Sequence, residues 1–186
     1  MKLIFLYGLP AAGKFTIGEE LARSNGYRLF HYYLAVDPLL SVFNFGSPPF
    51  VDLRETLWLA IIERAAMSHL SGLIFTFVPE RTIRPQFIPA LIEIATSNHI
   101  DIIAVEVTCP LPELRQRLDH PSRRPFQKIN SIALFDALYN TGALSTPFPM
   151  PKPDLTLDTS KLTPKQSAQK IAALCNPLHR LDEMEL

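Results

Sequence analysis

The chain has no surplus of either charge: 18 lysines and arginines offset 18 aspartates and glutamates in 186 residues. That balance argues against a polycationic surface for holding nucleic acid or an anionic membrane, and leaves room only for a local basic patch. Cysteine is scarce. Cys109 and Cys175 are too few for a disulfide framework or a thiolate metal centre, and both stand among apolar neighbours. Buried free thiols in a reducing cytoplasm are the expectation. No apolar run is long enough to cross a bilayer. The apolar start, residues 2–7, stops at Gly8 and leads to Lys14 without a cleavage-site pattern, so it does not read as a signal peptide. What the chain has in quantity is core material. Hydrophobic residues make up 47% and charged residues 19%, and one domain of this length buries about 70% of its unfolded surface.

Five short apolar segments predict strands at about 2–7, 27–32, 73–78, 101–107 and 155–157. Helical patterns alternate with them. The first runs over about 13–24, with Ile17 and Leu21 inward and Asn25-Gly26 as its stop. Asp37-Pro38 reads as an N-cap followed by proline at the first helical position. The longest helix is expected over about 51–70, with Leu53, Leu57, Ile61 and Ala65 inward and Asp52, Arg54, Glu55, Glu63 and Arg64 mostly outward. Later helices are expected up to Ser97 (Pro89 in the first turn), over 112–118, over 131–139, and from the capping box Thr163-Pro164-Lys165-Gln166 to Cys175. Strands alternating with helices predict an α/β fold, a three-layer sandwich around a five-stranded parallel sheet with right-handed crossovers. Neither an internal repeat nor a second domain is visible, so 1–186 reads as a single domain.

The chemistry concentrates between the first strand and the first helix, in Gly8, Leu9, Pro10, Ala11, Ala12, Gly13, Lys14, Phe15 and Thr16. Gly8, Gly13 and Lys14 satisfy the G-x-x-x-x-G-K spacing in the strand–turn–helix context that makes a phosphate-binding loop credible. Glycines let several N–H groups face one anion, the helix N-terminus adds partial positive charge, and Lys14 reaches toward the β- and γ-phosphates. The next position departs from the pattern. Phe15 stands where serine or threonine would hold Mg²⁺, and a hard cation wants oxygen. Three readings stay open: Mg²⁺ held by phosphates, waters and a distant carboxylate; Thr16 shifted into the metal role; or a nucleotide binder without catalysis.

From these features the chain resembles the P-loop small-molecule kinases, shikimate kinase-like and adenylate kinase-like, over nearly its whole length. The resemblance implies ATP and Mg²⁺ as cofactors, a small-molecule acceptor, and a substrate-binding region at about 31–56. It also implies a basic lid at about 119–130, where Arg123 and Arg124, with Arg117 on the preceding helix, would close over the transferring phosphoryl group. A solvated basic loop is the competing reading of that stretch. Lys128 is a weaker lid candidate.

Arg54 matches an arginine that meets substrate in shikimate kinases, which suggests an anionic acceptor; a solvent-facing helix arginine is the alternative. His31 and Tyr33 fill the positions of two shikimate-binding aspartates, and Val78-Pro79 replaces a glycine pair, so shikimate itself is not expected. His31, at a strand's carboxyl end, is a candidate substrate contact or a buried, hydrogen-bonded histidine. Asp37 is the nearest carboxylate for accepting a hydroxyl proton or ordering Mg²⁺ through water, with Glu80 as a further metal partner. Asp158-Thr159, after the fifth strand, matches a segment near the adenine. The leading reading is an ATP-dependent phosphotransferase for a small hydroxylated or anionic metabolite, in the cytoplasm. A nucleotide-binding regulator without turnover is the second, and a structural protein on a borrowed fold the third.

Overall fold

A computed structural model of the chain describes residues 1–120 and 129–176. Five strands, β1 (Lys2–Tyr7), β2 (Arg28–His31), β3 (Gly72–Phe77), β4 (Asp101–Thr108) and β5 (Leu155–Asp158), form one sheet in the order β2-β3-β1-β4-β5. Every pairing is parallel. β1 and β3 are buried along nearly their whole length, which is why they read as unbroken apolar runs rather than alternating ones. Around the sheet lie α1 (Lys14–Asn25), α2 (Tyr33–Leu40), α3 (Pro48–Ala66), α4 (Phe87–Ser97), α5 (Leu111–Leu118), α6 (Ile132–Asn140) and α7 (Pro164–Leu174). α1 packs with α7, and α3 with both α2 and α4. The α/β sandwich expected from the sequence is the observed fold.

The close fit of α1 to the sheet depends on Gly18, where a Cβ would come within 2.8 Å of Leu29 Cδ1 and 3.5 Å of Ile74 Cγ2. On α3, Trp58 packs its ring against Phe75, Phe77 and Phe87 at centroid distances of 5.5–5.8 Å. The expected capping box of α7 is present, with Thr163 and Gln166 bonded reciprocally.

Two helices differ from the sequence expectation. Asp37-Pro38 lies inside α2 rather than at its start. The helix begins five residues earlier because its first donors find side-chain acceptors: Tyr32 N–H donates to Thr76 Oγ1 at 3.1 Å and Tyr33 N–H to His31 Nδ1 at 3.0 Å. His31 is a local acceptor two residues upstream, but Thr76 comes from β3, 44 residues away and beyond the reach of a local capping signal.

The face of α3 is the second difference. Leu53, Leu57 and Ile61 are 38–39% exposed, while Phe50, Arg54, Glu55, Trp58, Ile62 and Ala65 are buried. Both stripes have helical spacing and differ by about one residue of rotation. Burying an aromatic ring removes roughly 150–250 Å² from water, about 4–6 kcal/mol each for Phe50 and Trp58. On the same area scale the smaller leucine and isoleucine side chains at the alternative positions would supply less. The chosen face then requires Arg54 and Glu55 to be paired inside the protein.

Candidate functional site

The loop Gly8–Lys14 lies at the carboxyl edge of the sheet, leaving β1 and entering α1, where open α/β sheets place their ligands. Its glycines are required by geometry. Gly8 has φ +148°, and a Cβ there would meet the carbonyl oxygen of Val107 at 2.2 Å. Gly13 is left-handed, with φ 97° and ψ 3°, and is the N-cap of α1 without any side-chain cap. The first N–H groups of a helix have no intrahelical partners, so an uncapped start next to a turned loop suits an anion. Ala11 is also left-handed, at φ 66°, a conformation that costs of order 1 kcal/mol outside glycine and marks strain stored in this loop. Lys14 is 7% exposed and folds back over the turn, its Nζ donating to the carbonyls of Gly8 and Leu9, both at 2.7 Å.

A second layer holds the loop from the β5 side. Thr159 Oγ1 lies 3.0 Å from the Ala12 carbonyl and 3.1 Å from that of Thr108, and accepts from Arg117 Nη1 at 2.8 Å. Arg117 Nη2 also donates to the Thr159 carbonyl at 2.9 Å and pairs with Glu113. The guanidinium therefore stands beside the loop, 4.0 Å from where a Gly13 Cβ would be. Sequence reasoning named Arg117 and Thr159 separately, and the fold joins them. Cys109, half-buried beside this cluster, has its thiol pushed up chiefly by burial.

Between loop, α1, β2, β3 and the start of α7 opens a cleft of about 540 Å³. Its lining includes Pro10, Ala11, Gly13, Lys14, Phe15, Thr16, Glu19, His31, Tyr33, Thr76, Arg117 and Thr159. Phe15 lies edge-on to His31, with ring centroids 4.7 Å apart and planes at 74°, and His31 lies edge-on to Tyr33 at 5.7 Å. Three rings thus line up beside the phosphate loop. Because His31 Nδ1 accepts the Tyr33 N–H, the proton of the neutral imidazole sits on Nε2. Thr76, the single polar side chain of β3, lies buried in the wall of the cleft. Its place at the carboxyl end of an apolar strand is the signal that the sequence carries for it.

Arg54 and Asp37 lie apart from this cleft. Arg54, expected outward and facing an acceptor, is wholly buried. It pairs with Glu80, lies 3.5 Å from Glu55, donates to Thr82 Oγ1 at 3.1 Å, and stacks between Phe50 and Trp58. Burial pushes the Glu80 carboxyl up, opposed by Arg54 and by hydrogen bonds from Thr82, Tyr32 and Arg54. Glu80 is therefore engaged inside the protein and not held at the phosphate loop. Asp37, within α2, is not part of the cleft lining. Asp158 bonds Ser160 N–H at 3.0 Å and Ser160 Oγ at 2.6 Å, shaping the turn that presents Thr159. Arg123, Arg124 and Lys128, with most of the 119–130 segment, fall outside the described residues.

The loop fits a nucleotide's phosphates, with two obligatory glycines, a helix start and a lysine. To a divalent cation its lining offers the Thr16 hydroxyl and little acidic oxygen. Glu19 is the one carboxylate in the cleft lining, and no group of three or more His, Cys, Asp or Glu side chains comes together, in both cases among the described residues.

No family model and no curated protein matches the sequence. Solved structures do match in fold. The APS kinase of Mycobacterium tuberculosis, in complex with AMPPNP and APS, superposes with a TM-score of 0.63 at 15% identity, covering 94% of this chain and 96% of that one. A gluconokinase from Sinorhizobium meliloti gives 0.59 at 16% identity over 97% of each chain. The shikimate kinase of Acinetobacter baumannii, in complex with shikimate, gives 0.53 at 19%, covering 93% and 92%. The chain has the fold of the P-loop small-molecule kinases over 93–97% of its length.

Proposed function

We propose that the protein is an ATP-dependent phosphotransferase acting on a small hydroxylated metabolite. One observation carries the reading: a G-x-x-x-x-G-K loop whose glycines cannot be replaced without clash or strain, with Lys14 folded over it, at the carboxyl edge of a β2-β3-β1-β4-β5 sheet. Bound there, ATP would supply the transferable phosphoryl group. Phosphoryl transfer asks the protein mainly for positioning and for positive charge around the equatorial oxygens. Lys14 would leave the carbonyls of Gly8 and Leu9 to meet the β- and γ-phosphates. Arg117 would add charge from the β5 side. Thr16, exposed at the mouth of the cleft, would meet the α-phosphate, and the Thr159 turn would border the nucleoside. Arg123 and Arg124 are assigned to a lid by their place in the sequence after β4 and α5.

The acceptor would sit toward His31 and Tyr33. The anionic option loses its support, because Arg54 already has Glu80 as a counterion. An uncharged hydroxyl compound resting against aromatic rings suits this wall better. The test is calorimetric titration with ATP, followed by ADP release across a panel of hydroxylated metabolites. Lys14→Ala is expected to weaken ATP binding at least about tenfold, from loss of charge-assisted hydrogen bonds, with an unchanged circular dichroism spectrum. Equal ATP affinity in wild type and variant would overturn the assignment. ATP binding with no turnover on any acceptor would instead select a nucleotide-binding regulator.

A further inference from the structure

We infer that no described side chain ligates the divalent cation accompanying the nucleotide, so that Mg²⁺ does not strengthen nucleotide binding. The inference rests on the nucleotide-binding reading above and concerns how the charge of the phosphates is met. Mg²⁺ demands near-octahedral oxygen coordination and is ordinarily held through a hydroxyl or carboxylate beside the phosphates. In the reading above the Thr16 hydroxyl goes to the α-phosphate, and the other described side-chain oxygens near the loop are engaged elsewhere or stand alone.

The residue directly after Lys14 is Phe15, a hydrocarbon ring. Its position is fixed by edge-on packing against His31, itself backed by Tyr33. His31 is in turn tied to the start of α2 through its Nδ1. Across the cleft, the carboxyl end of β3 offers Thr76 in place of an acid, and its Oγ1 already accepts the Tyr32 N–H. Glu80, just beyond that strand, pairs with buried Arg54. Glu19 lies exposed on the second turn of α1 and belongs to no group of three or more His, Cys, Asp or Glu side chains among the described residues. The 121–128 segment contributes no aspartate or glutamate in its sequence.

Positive charge is supplied instead by side chains. Lys14 and Arg117 border the cleft, and Arg123 and Arg124 follow it in sequence. A cation carried on the nucleotide by phosphates and waters is compatible with this arrangement but gains nothing from the protein.

ATP is titrated into the full-length protein by calorimetry in saturating Mg²⁺ and again in EDTA. The expected Kd values agree within about twofold. Phe15→Thr, which places a hydroxyl beside the phosphates, is expected to bind at least about fivefold more tightly with Mg²⁺ than in EDTA. A wild-type Kd tenfold or more tighter in Mg²⁺ overturns this inference and leaves nucleotide binding intact. A Phe15→Thr protein equally indifferent to Mg²⁺ overturns the role given to Phe15. An absence of binding in both media overturns the nucleotide-binding reading itself.

Discussion

Arg54 on α3 and Glu80 beyond β3 form an ion pair in the interior, with Arg54 fully buried and Glu80 5% exposed. Thr82 accepts from both terminal nitrogens of the arginine, and Phe50 and Trp58 cover its guanidinium at 5.3 and 4.9 Å. Glu55 extends the network outward to Arg84, whose Nε donates at 2.7 Å. An arginine at this point in a chain of this fold suggests a substrate anion as its partner. Here the protein supplies that anion itself, and the position serves stability.

Removing one member of such a pair strands a buried charge, which typically costs about 3–5 kcal/mol, whereas replacing both with apolar groups of similar size is often close to neutral. Arg54→Met is expected to lower the unfolding free energy in urea by about that amount. The Arg54→Met/Glu80→Leu double variant should recover most of the loss. ATP affinity of the folded single variant should match wild type. A variant of unchanged stability that no longer phosphorylates its acceptor would return Arg54 to the substrate site.

Asp158 gives a pH dependence of known sign. Hydrogen bonds from the Ser160 hydroxyl and backbone N–H, with Lys161 adding to them, hold its carboxyl below the ordinary aspartate value of 3.8. A carboxylate whose folded pKa is depressed binds fewer protons in the native state. Its stabilisation is therefore complete above the unfolded value and disappears as pH falls through the folded one. Asp158→Asn removes the effect. The stability gap between wild type and variant, measured by thermal unfolding, should be widest above about pH 4 and close on acidification. The side chain faces solvent, so the gap should be small. A gap that widens as the pH drops would contradict the assignment.

The strands were legible because a sheet covered on both faces needs apolar residues at every position. The loop was legible because backbone geometry fixes where its glycines and lysine must fall. Gly8 meets the carbonyl of Val107, and Gly13 starts α1 in a left-handed conformation. What misled is equally physical. Asp37-Pro38 imitates a helix start, but the real start of α2 is made by His31 and Thr76, side chains on two strands that only the fold brings together. On α3, a stripe of leucine and isoleucine lies beside a stripe with Trp58 and Phe50, and hydrophobic spacing alone does not choose between them. The larger rings favour the second stripe, and burying it is possible because Glu80 and Thr82, 26 and 28 residues after Arg54, pair with the arginine from the far side. Local pattern identifies the elements. Long-range polar pairing made the inward face of α3 tenable and, through Thr76, helped to set where α2 begins.

Thr159 is where that long-range pairing meets the phosphate loop. One hydroxyl lies within hydrogen-bonding distance of the Ala12 carbonyl at 3.0 Å and accepts from Arg117 at 2.8 Å, so loop and guanidinium are positioned by the same oxygen. Thr159→Val preserves the shape of the side chain and removes that oxygen. The backbone contact from Arg117 Nη2 to the residue 159 carbonyl can persist, which limits the damage to the fold. A hydrogen bond of this kind contributes about 0.5–1.5 kcal/mol net, so ATP affinity should weaken roughly 2- to 10-fold. Thr159→Ser keeps the oxygen and should bind ATP nearly as wild type does. Titrating all three proteins with ATP separates the hydroxyl from the methyl: equal affinities across the series would mean that Thr159 only fills space beside the loop.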